Sequence, residues 1–367
     1  MAKFTDRNQF VPDWIPCPGE TIREILDDMA FSQNDLARRM NRSLKFINEL
    51  IQGKAALSEM TALQLERVLG VKAYFWLGLE QDFQLFQTQQ KEKEKMAELK
   101  DWADEFPYKQ MASFGWLEYK KDVPEKVQTL LEFFGIATPD AWDSQWAKEK
   151  LCASFRSSSY TIKVKSMASW LRQGQRLAAK TETGDYNRTR FSDALKSIRN
   201  LTSMADPAEF MPQLENACAG CGVVTLFIPP LSETTVSGAA HWYSGKPIIQ
   251  LTLRYKKNDH LWFSFFHEAK HILSHSTKEI YINEINSDSK EESEANEFAA
   301  NFLIPLQNYN KFLSTWDKRD LHAIKNFAES IGIHPGIVVG RLQHDKKLNY
   351  SQGDSFKISY KWPSNGP

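Results

Sequence analysis

No run of about eighteen apolar residues occurs in the 367-residue chain, so a membrane-spanning helix is not expected. The N-terminus, MAKFTDRNQF, lacks the apolar core of a secretory signal, and a reducing cytoplasm is the expected compartment. Cysteine is scarce: Cys17, Cys152, Cys218 and Cys221 are too few for a disulfide framework in a chain of this size. Charge of one sign is also missing. The 46 Lys and Arg balance 46 Asp and Glu, so the whole-chain charge neither demands nor forbids nucleic acid. No internal repeat or low-complexity tract is present. Aromatic residues, by contrast, are plentiful. They make up 12% of the chain and include 11 tryptophans, which with 42% hydrophobic content predicts large buried cores in two or three globular domains.

The first segment reads as short helices joined by tight turns. Apolar residues recur at three and four: Ile22, Ile25, Leu26 and Met29, then Leu36, Ala37 and Met40, then Ile47, Leu50 and Ile51, then Leu63, Leu65, Val68 and Leu69. Ser32, with Asp35 three residues on, and Ser43 read as helix N-caps, while Gly53 and Gly70 end the third and fourth helices. A short helix, a tight turn and a second helix opened by Ser43 is the layout of a DNA-reading helix-turn-helix. The stretch from Pro18 to Leu79, with PGE, SQNDLARRM, INELIQGKAAL and YFWLGLE, resembles the HigA-type antitoxins of the Xre helix-turn-helix group. That resemblance implies that the helix beginning at Ser43 enters the major groove of double-stranded operator DNA. Ser43, Leu44, Lys45, Phe46, Asn48 and Glu49 would then lie at the DNA, with Ile47, Leu50 and Ile51 in the core. Residues 1–80 nevertheless hold ten Lys and Arg against eleven Asp and Glu, about −1 overall, whereas phosphate binding favours a basic surface.

From Gln81 to about Phe106 the chain is polar and alternates in sign, as in an exposed connecting helix. Amphipathic helices follow up to Cys221, among them PEKVQTLLEFFGI, SMASWLRQGQRLAA and RFSDALKSIRNL, where Phe191, Leu195 and Ile198 line one face. CAGC at Cys218–Cys221 has no partner pair at metal-binding spacing and reads as packing at a helix end. VVTLFI, TVSGAAHWY and PIIQLTL are β-rich, with a turn at Ser244-Gly245-Lys246-Pro247.

The densest chemistry lies in FFHEAKHILSH. His267 and His271, at i and i+4, project on one side of a helix about one turn apart, where one tetrahedral metal ion can take both. Glu268, one residue round, is placed to take a proton from an attacking water without binding the metal. Asn258 or Asp259 is the expected cap of this helix. Downstream, KEESEANEFAANFLIP carries Ala295, Phe298, Ala299, Phe302 and Leu303 as a helical stripe. At about 100° per residue, Glu291 and Glu292 both fall at the edges of that stripe and Glu294 points away.

Together these two segments resemble the ImmA/IrrE family of zinc peptidases, whose second motif has the form E-x-x-A-N-x-F-A. Glu292, Ala295, Asn296, Phe298 and Ala299 match it. The resemblance implies zinc held by His267, His271 and Glu292, with Asn296 hydrogen-bonding a ligand histidine and Glu268 as the catalytic carboxylate. It extends to VSGAAHWY, KPIIQLTLRYKKNDHLWFSFFHE and IGIHPGIVVGRLQHD; Lys270 departs from the glycine of the family's H-E-x-G-H form. His241 is a candidate oxyanion stabiliser, with Tyr243, Tyr255 and Tyr281 as rivals. His260 is a candidate lip residue. His275, His322, His334 and His344 read as capping or surface histidines, and HPGIVVGRLQ as packing or a dimer contact.

The expected class is α+β, mainly helical. The expected organisation is a helix-turn-helix domain over 1–80, a helical linker over 81–123, and a helical region with a zincin-like peptidase domain over 124–367, its metal core at about 222–306. The combination resembles fused regulator-peptidases. It implies a homodimeric DNA-binding regulator whose zinc endopeptidase cleaves a repressor, an antitoxin or itself under stress. The alternative is an antitoxin-like repressor whose zincin domain senses or binds a partner without cleaving.

Overall fold

Serines cap three of the helices of the first unit in this computed structural model, which describes residues 14–147, 160–232, 234, 236–252, 257–274, 281–282, 290–318 and 320–360. The chain divides into two units, Met1–Leu99 and Lys100–Pro367. In the first lie α1 (Pro18–Asp28), α2 (Gln33–Met40), α3 (Leu44–Ile51), α4 (Glu59–Leu69) and α5 (Ala73–Ala97). Ser32 caps α2 in a reciprocal box with Asp35, Ser43 Oγ accepts from Phe46 N–H at 3.1 Å, and Ser58 Oγ accepts from Thr61 N–H at 3.3 Å. Each cap satisfies a backbone donor that helix geometry leaves over, worth roughly 1 kcal/mol. Asn41 and Gly70 end α2 and α4 in the left-handed conformation. Leu26, Leu36, Ile47, Leu50, Leu65 and Trp76 form part of the core between these helices.

Two expected core residues lie outside it. Met29 is 39% exposed because it is already the residue that ends α1, and Leu63 is 42% exposed because α4 turns Thr61, Ala62, Leu65 and Leu69 inward. The polar connector begins earlier than its composition suggests: α5 runs unbroken for 25 residues from Ala73, with Trp76 its buried residue.

The second unit begins with α6 (Lys100–Asp104), α7 (Tyr108–Ser113), α8 (Val123–Phe134), α9 (Pro139–Trp142) and α10 (Tyr160–Ala178), then α11 (Arg188–Asn200) and α12 (Pro207–Ala219). A four-stranded sheet follows, built from β1 (Val224–Phe227), β2 (Gly238–Tyr243), β3 (Lys246–Leu251) and β4 (Tyr281–Ile282) in the order β1-β3-β2-β4. β1 pairs with β3 in parallel, and β2 pairs antiparallel with both β3 and β4. Ser244 and Gly245, at φ 50° and 79°, make the two-residue hairpin turn between β2 and β3. The remaining helices are α13 (Asn258–Ser274), α14 (Lys290–Leu303), α15 (Leu306–Thr315), α16 (Leu321–Ser330) and α17 (Pro335–His344).

Helices cover both faces of the sheet. Ala240, Ile249 and Leu251 face the core shared with α13, whereas Val224 and Ile248 pack with Ala178 of α10. α13 is the central rod: Leu261, Trp262, Phe265, Phe266, Ala269 and Ile272 are all buried. Its expected cap is not what Asn258 and Asp259 provide. Both lie within the helix, and their side chains tie it to the C-terminal segment, as detailed below. CAGC is packing: Cys218 is fully buried, and burial pushes its thiol up to about 12.

Glycine marks a close approach of two helix backbones in the first unit. A Cβ on Gly19 of α1 would lie 2.2 Å from the carbonyl oxygen of Ile51 at the end of α3, whereas Gly78 in α5 has nothing within 4 Å. Gly19→Ala should therefore destabilise the chain by about 1–3 kcal/mol through forced overpacking. Gly78→Ala should stabilise it by up to about 1 kcal/mol through helix propensity. Denaturant unfolding of the two full-length variants checks both signs.

Candidate metal centre and nucleic-acid-reading helix

α13 and α14 bring three expected residues to one point. His267 Nε2 lies 3.1 Å from Glu292 Oε2, His271 Nε2 lies 3.0 Å from Glu292 Oε1, and the two Nε2 atoms are 3.1 Å apart. His267 is fully buried, His271 is 2% exposed and Glu292 is 6% exposed. Glu291 and Glu294 are exposed, so of the two carboxylates the helical wheel left open, Glu292 is the inward one. Small residues make the approach possible: Ala295 and Ala299 on α14 have no exposed surface.

Asn296 Oδ1 sits 2.9 Å from His267 Nδ1. An amide oxygen only accepts, so Nδ1 carries a proton there and Nε2 is the ring atom turned toward Glu292. Burial pushes the Glu292 carboxyl up, but hydrogen bonding and charge from His267 and His271 outweigh it and hold the group at about 2. Two imidazole nitrogens and a carboxylate within 3.1 Å of each other are mutually repulsive unless a proton or a metal cation is shared among them. In a tetrahedral zinc site with arms of about 2.0–2.1 Å, neighbouring ligand atoms are roughly 3.3 Å apart. The donor set and its spacing fit such an ion.

Glu268 is fully buried on the flank of α13 that meets β2. Gly238 makes room for it, because a Cβ there would lie 3.0 Å from both Cγ and Oε1 of Glu268. The sequence reading passed over this glycine, although a glycine inside a strand pattern is the signature of close approach. Lys270 lies on the opposite flank from Glu268 at about 100° per residue. Its ammonium is 6.0 Å from the Phe298 ring centre.

His241 is a correction. Side chains alternate along a strand, and Gly238 and Ala240 face α13, so His241 faces the other way. There it is 1% exposed, with Nε2 3.3 Å from Gln250 Oε1, while Gln250 Nε2 donates to the Trp170 carbonyl of α10 at 2.7 Å. Tyr243 shares that face, its hydroxyl 3.2 Å from Arg172. Neither residue meets the metal ligands. Tyr255, the Tyr281 side chain and His275 lie outside what the structure describes. His334 caps α17 by accepting from Gly336 N–H at 3.1 Å. His344 pairs with Asp345 at 3.0 Å, His322 lies in the first turn of α16, and His260 is exposed beside Asp259.

On α3, Leu44 and Lys45 are exposed and Asn48 and Glu49 partly so, while Ile47, Leu50 and Ile51 are buried as expected. Ser43 caps the helix, and Phe46 is half-buried with the Arg42 guanidinium 5.3 Å from its ring centre. Charge is segregated rather than weak. From Gln33 to Ile51, α2 through α3, there are four basic residues (Arg38, Arg39, Arg42, Lys45) and two acidic (Asp35, Glu49), whereas α1 carries Glu20, Glu24, Asp27 and Asp28 against Arg23. A net charge near zero thus conceals a basic α2–α3 region.

The family model for the IrrE N-terminal-like domain (Peptidase_M78) matches residues 221–342. The N-terminal region is similar to known regulators. The uncharacterized HTH-type transcriptional regulator YddM of Escherichia coli is 34% identical over 74 residues, 20% of this chain and 79% of that protein. Virulence-associated protein I of Dichelobacter nodosus is 34% identical over 74 residues, 20% of this chain and 68% of that protein. Among solved structures, an antidote protein of a plasmid maintenance system from Nostoc punctiforme is 32% identical, covering 22% of this chain and 89% of that one, with a TM-score of 0.22. Among the described residues no helix is long and apolar enough to cross a membrane.

The buried His241 generates a pH prediction. Burial lowers its imidazole from 6.5 to about 4, so the folded state holds it neutral. Its contribution is fully present above the unfolded value and is lost as pH falls from 6.5 through 4. Over that window the loss is about 3 kcal/mol. Urea unfolding at several pH values should show this component in the wild type and not in His241→Gln.

Proposed function

Taking as premise that the chain belongs to the HTH-type transcriptional regulators through its N-terminal region and carries an IrrE N-terminal-like domain at residues 221–342, we propose a cytoplasmic DNA-binding regulator with a zinc-dependent endopeptidase. One observation carries the peptidase reading: two imidazole nitrogens and a carboxylate converge within 3.1 Å on two packed helices, with Glu268 beside them. Zinc in such a site supplies Lewis acidity to a peptide carbonyl and to water.

The chain's own residues then divide the work. His267, His271 and Glu292 hold the ion, and Asn296 fixes the His267 tautomer. Glu268 accepts the proton of the attacking water and returns it to the leaving amine. At the other end, Lys45, Asn48 and Glu49 meet the groove, and Leu44 offers an apolar contact for a thymine methyl. Arg38, Arg39 and Arg42 meet phosphates. The basic α2–α3 region supports this assignment. The substrate we propose is a repressor or antitoxin, or a second copy of this chain in a homodimer, cleaved in response to stress.

Purified protein should carry about one zinc per chain by elemental analysis, since three side chains and water complete a tetrahedral site. His267→Ala or His271→Ala should lose it, and Glu292→Ala should weaken it more than Glu294→Ala. Equal retention in the two glutamate variants would mean that Glu292 is not a ligand. Glu268→Gln should keep zinc and promoter binding while cleavage falls at least about a hundredfold. Mapping fragments by mass spectrometry, after wild type and variant are incubated with extracts of stressed bacteria, reads this out, and identical fragments from both would refute the catalytic role. In a gel-shift series, Lys45→Ala and Asn48→Ala should each weaken promoter binding by about 1–3 kcal/mol and His267→Ala should leave it intact.

A further inference from the structure

The first turn of α13 is held by the segment that follows α17. Asn258 is fully buried and Asp259 is 7% exposed. The Asn258 N–H donates to the Ile358 carbonyl at 3.0 Å, and the Ile358 N–H donates back to Asn258 Oδ1 at 3.1 Å. Asn258 Nδ2 donates to His334 Nδ1 at 2.9 Å. Asp259 forms a buried ion pair with Lys357, whose ammonium also donates to Gln343 Oε1 at 2.7 Å. Two glycines one turn apart on α17 leave room for these groups. A Cβ on Gly336 would lie 2.9 Å from Asn258 Oδ1, and one on Gly340 would lie 2.5 Å from Asp259 Oδ2.

We propose that Lys357, acting through Asp259 and Asn258, is a positioning residue for the metal centre, fixing the rotation of α13 and so the direction of His267 and His271. This rests on the metal-site reading above. Apolar packing is non-directional, and α13 is wrapped in aromatic and aliphatic side chains that tolerate small rotations. Directional contacts at the helix start remove that freedom. At about 100° per residue, Asn258 lies opposite His267 on the helix, so it anchors the back of the rod whose front carries the ligands. A rotation of about 10° moves an atom about 8 Å from the axis by roughly 1.4 Å, several times the ~0.2 Å tolerance of a metal–ligand distance. Stability alone gives no reason for the pair, because a buried ion pair is often no more stabilising than apolar residues of the same volume. What it adds here is orientation.

The test uses full-length protein in which cobalt(II) replaces zinc, since visible d–d bands report ligand geometry independently of turnover. Lys357→Met and Asp259→Asn should each weaken zinc affinity about tenfold in chelator competition. They should also broaden or shift the cobalt bands, with far-UV circular dichroism and promoter binding unchanged. Lys357→Arg should restore wild-type bands, and Lys257→Ala, which removes an outer ion pair to Asp354, should change neither readout. Wild-type bands and affinity in both Lys357→Met and Asp259→Asn would overturn the positioning role while leaving the metal site standing. A wild-type protein that binds neither ion would overturn both.

Discussion

Three side chains able to hold a metal ion, within 3.1 Å of each other in a buried core, are the constraint around which the second unit is organised. Two imidazoles and an ionised carboxylate do not gather there without a cation or a proton to share, and burying them unpaired is costly. The surrounding sequence serves that convergence. Ala295 and Ala299 let α14 approach α13, Gly238 leaves space for Glu268, and Asn296 accepts from Nδ1 of His267. Aromatic side chains wrap most of α13 and exclude water, which strengthens the electrostatics inside.

Sequence revealed most where one local rule governs. Ser32 and Ser43 are legible as caps because each satisfies a donor three residues on, and His267 and His271 because helical spacing alone puts them together. Periodicity left Glu291 and Glu292 open, and motif resemblance separated them. His241 failed for a different reason. Helices cover both faces of the sheet, so β2 and β3 carry no polar–apolar alternation to show which face a residue occupies. The Lys357–Asp259 pair lies further still from local rules, since its partners are almost a hundred residues apart and nothing near either one announces the other. Summed charge hid the basic α2–α3 region because an acidic α1 cancels it in the total.

The first unit carries a region similar to HTH-type transcriptional regulators, and the second carries an IrrE N-terminal-like domain with the buried His267, His271 and Glu292 cluster. Lys270, the departure from the family's H-E-x-G-H form, lies on the Phe298 flank of α13 rather than on the Glu268 flank. That location leaves the Glu268 side of the helix unchanged.

The metal centre is the claim on which the rest of this account stands, and X-ray absorption at the zinc edge of the purified full-length protein tests it most directly. The expected result is a first shell of nitrogen and oxygen alone at about 2.0–2.1 Å with outer-shell scattering from two imidazole rings, and no bound-zinc signal in His271→Ala. Sulfur scattering at about 2.3 Å, or a spectrum unaltered by His271→Ala, would place the ion elsewhere and contradict it.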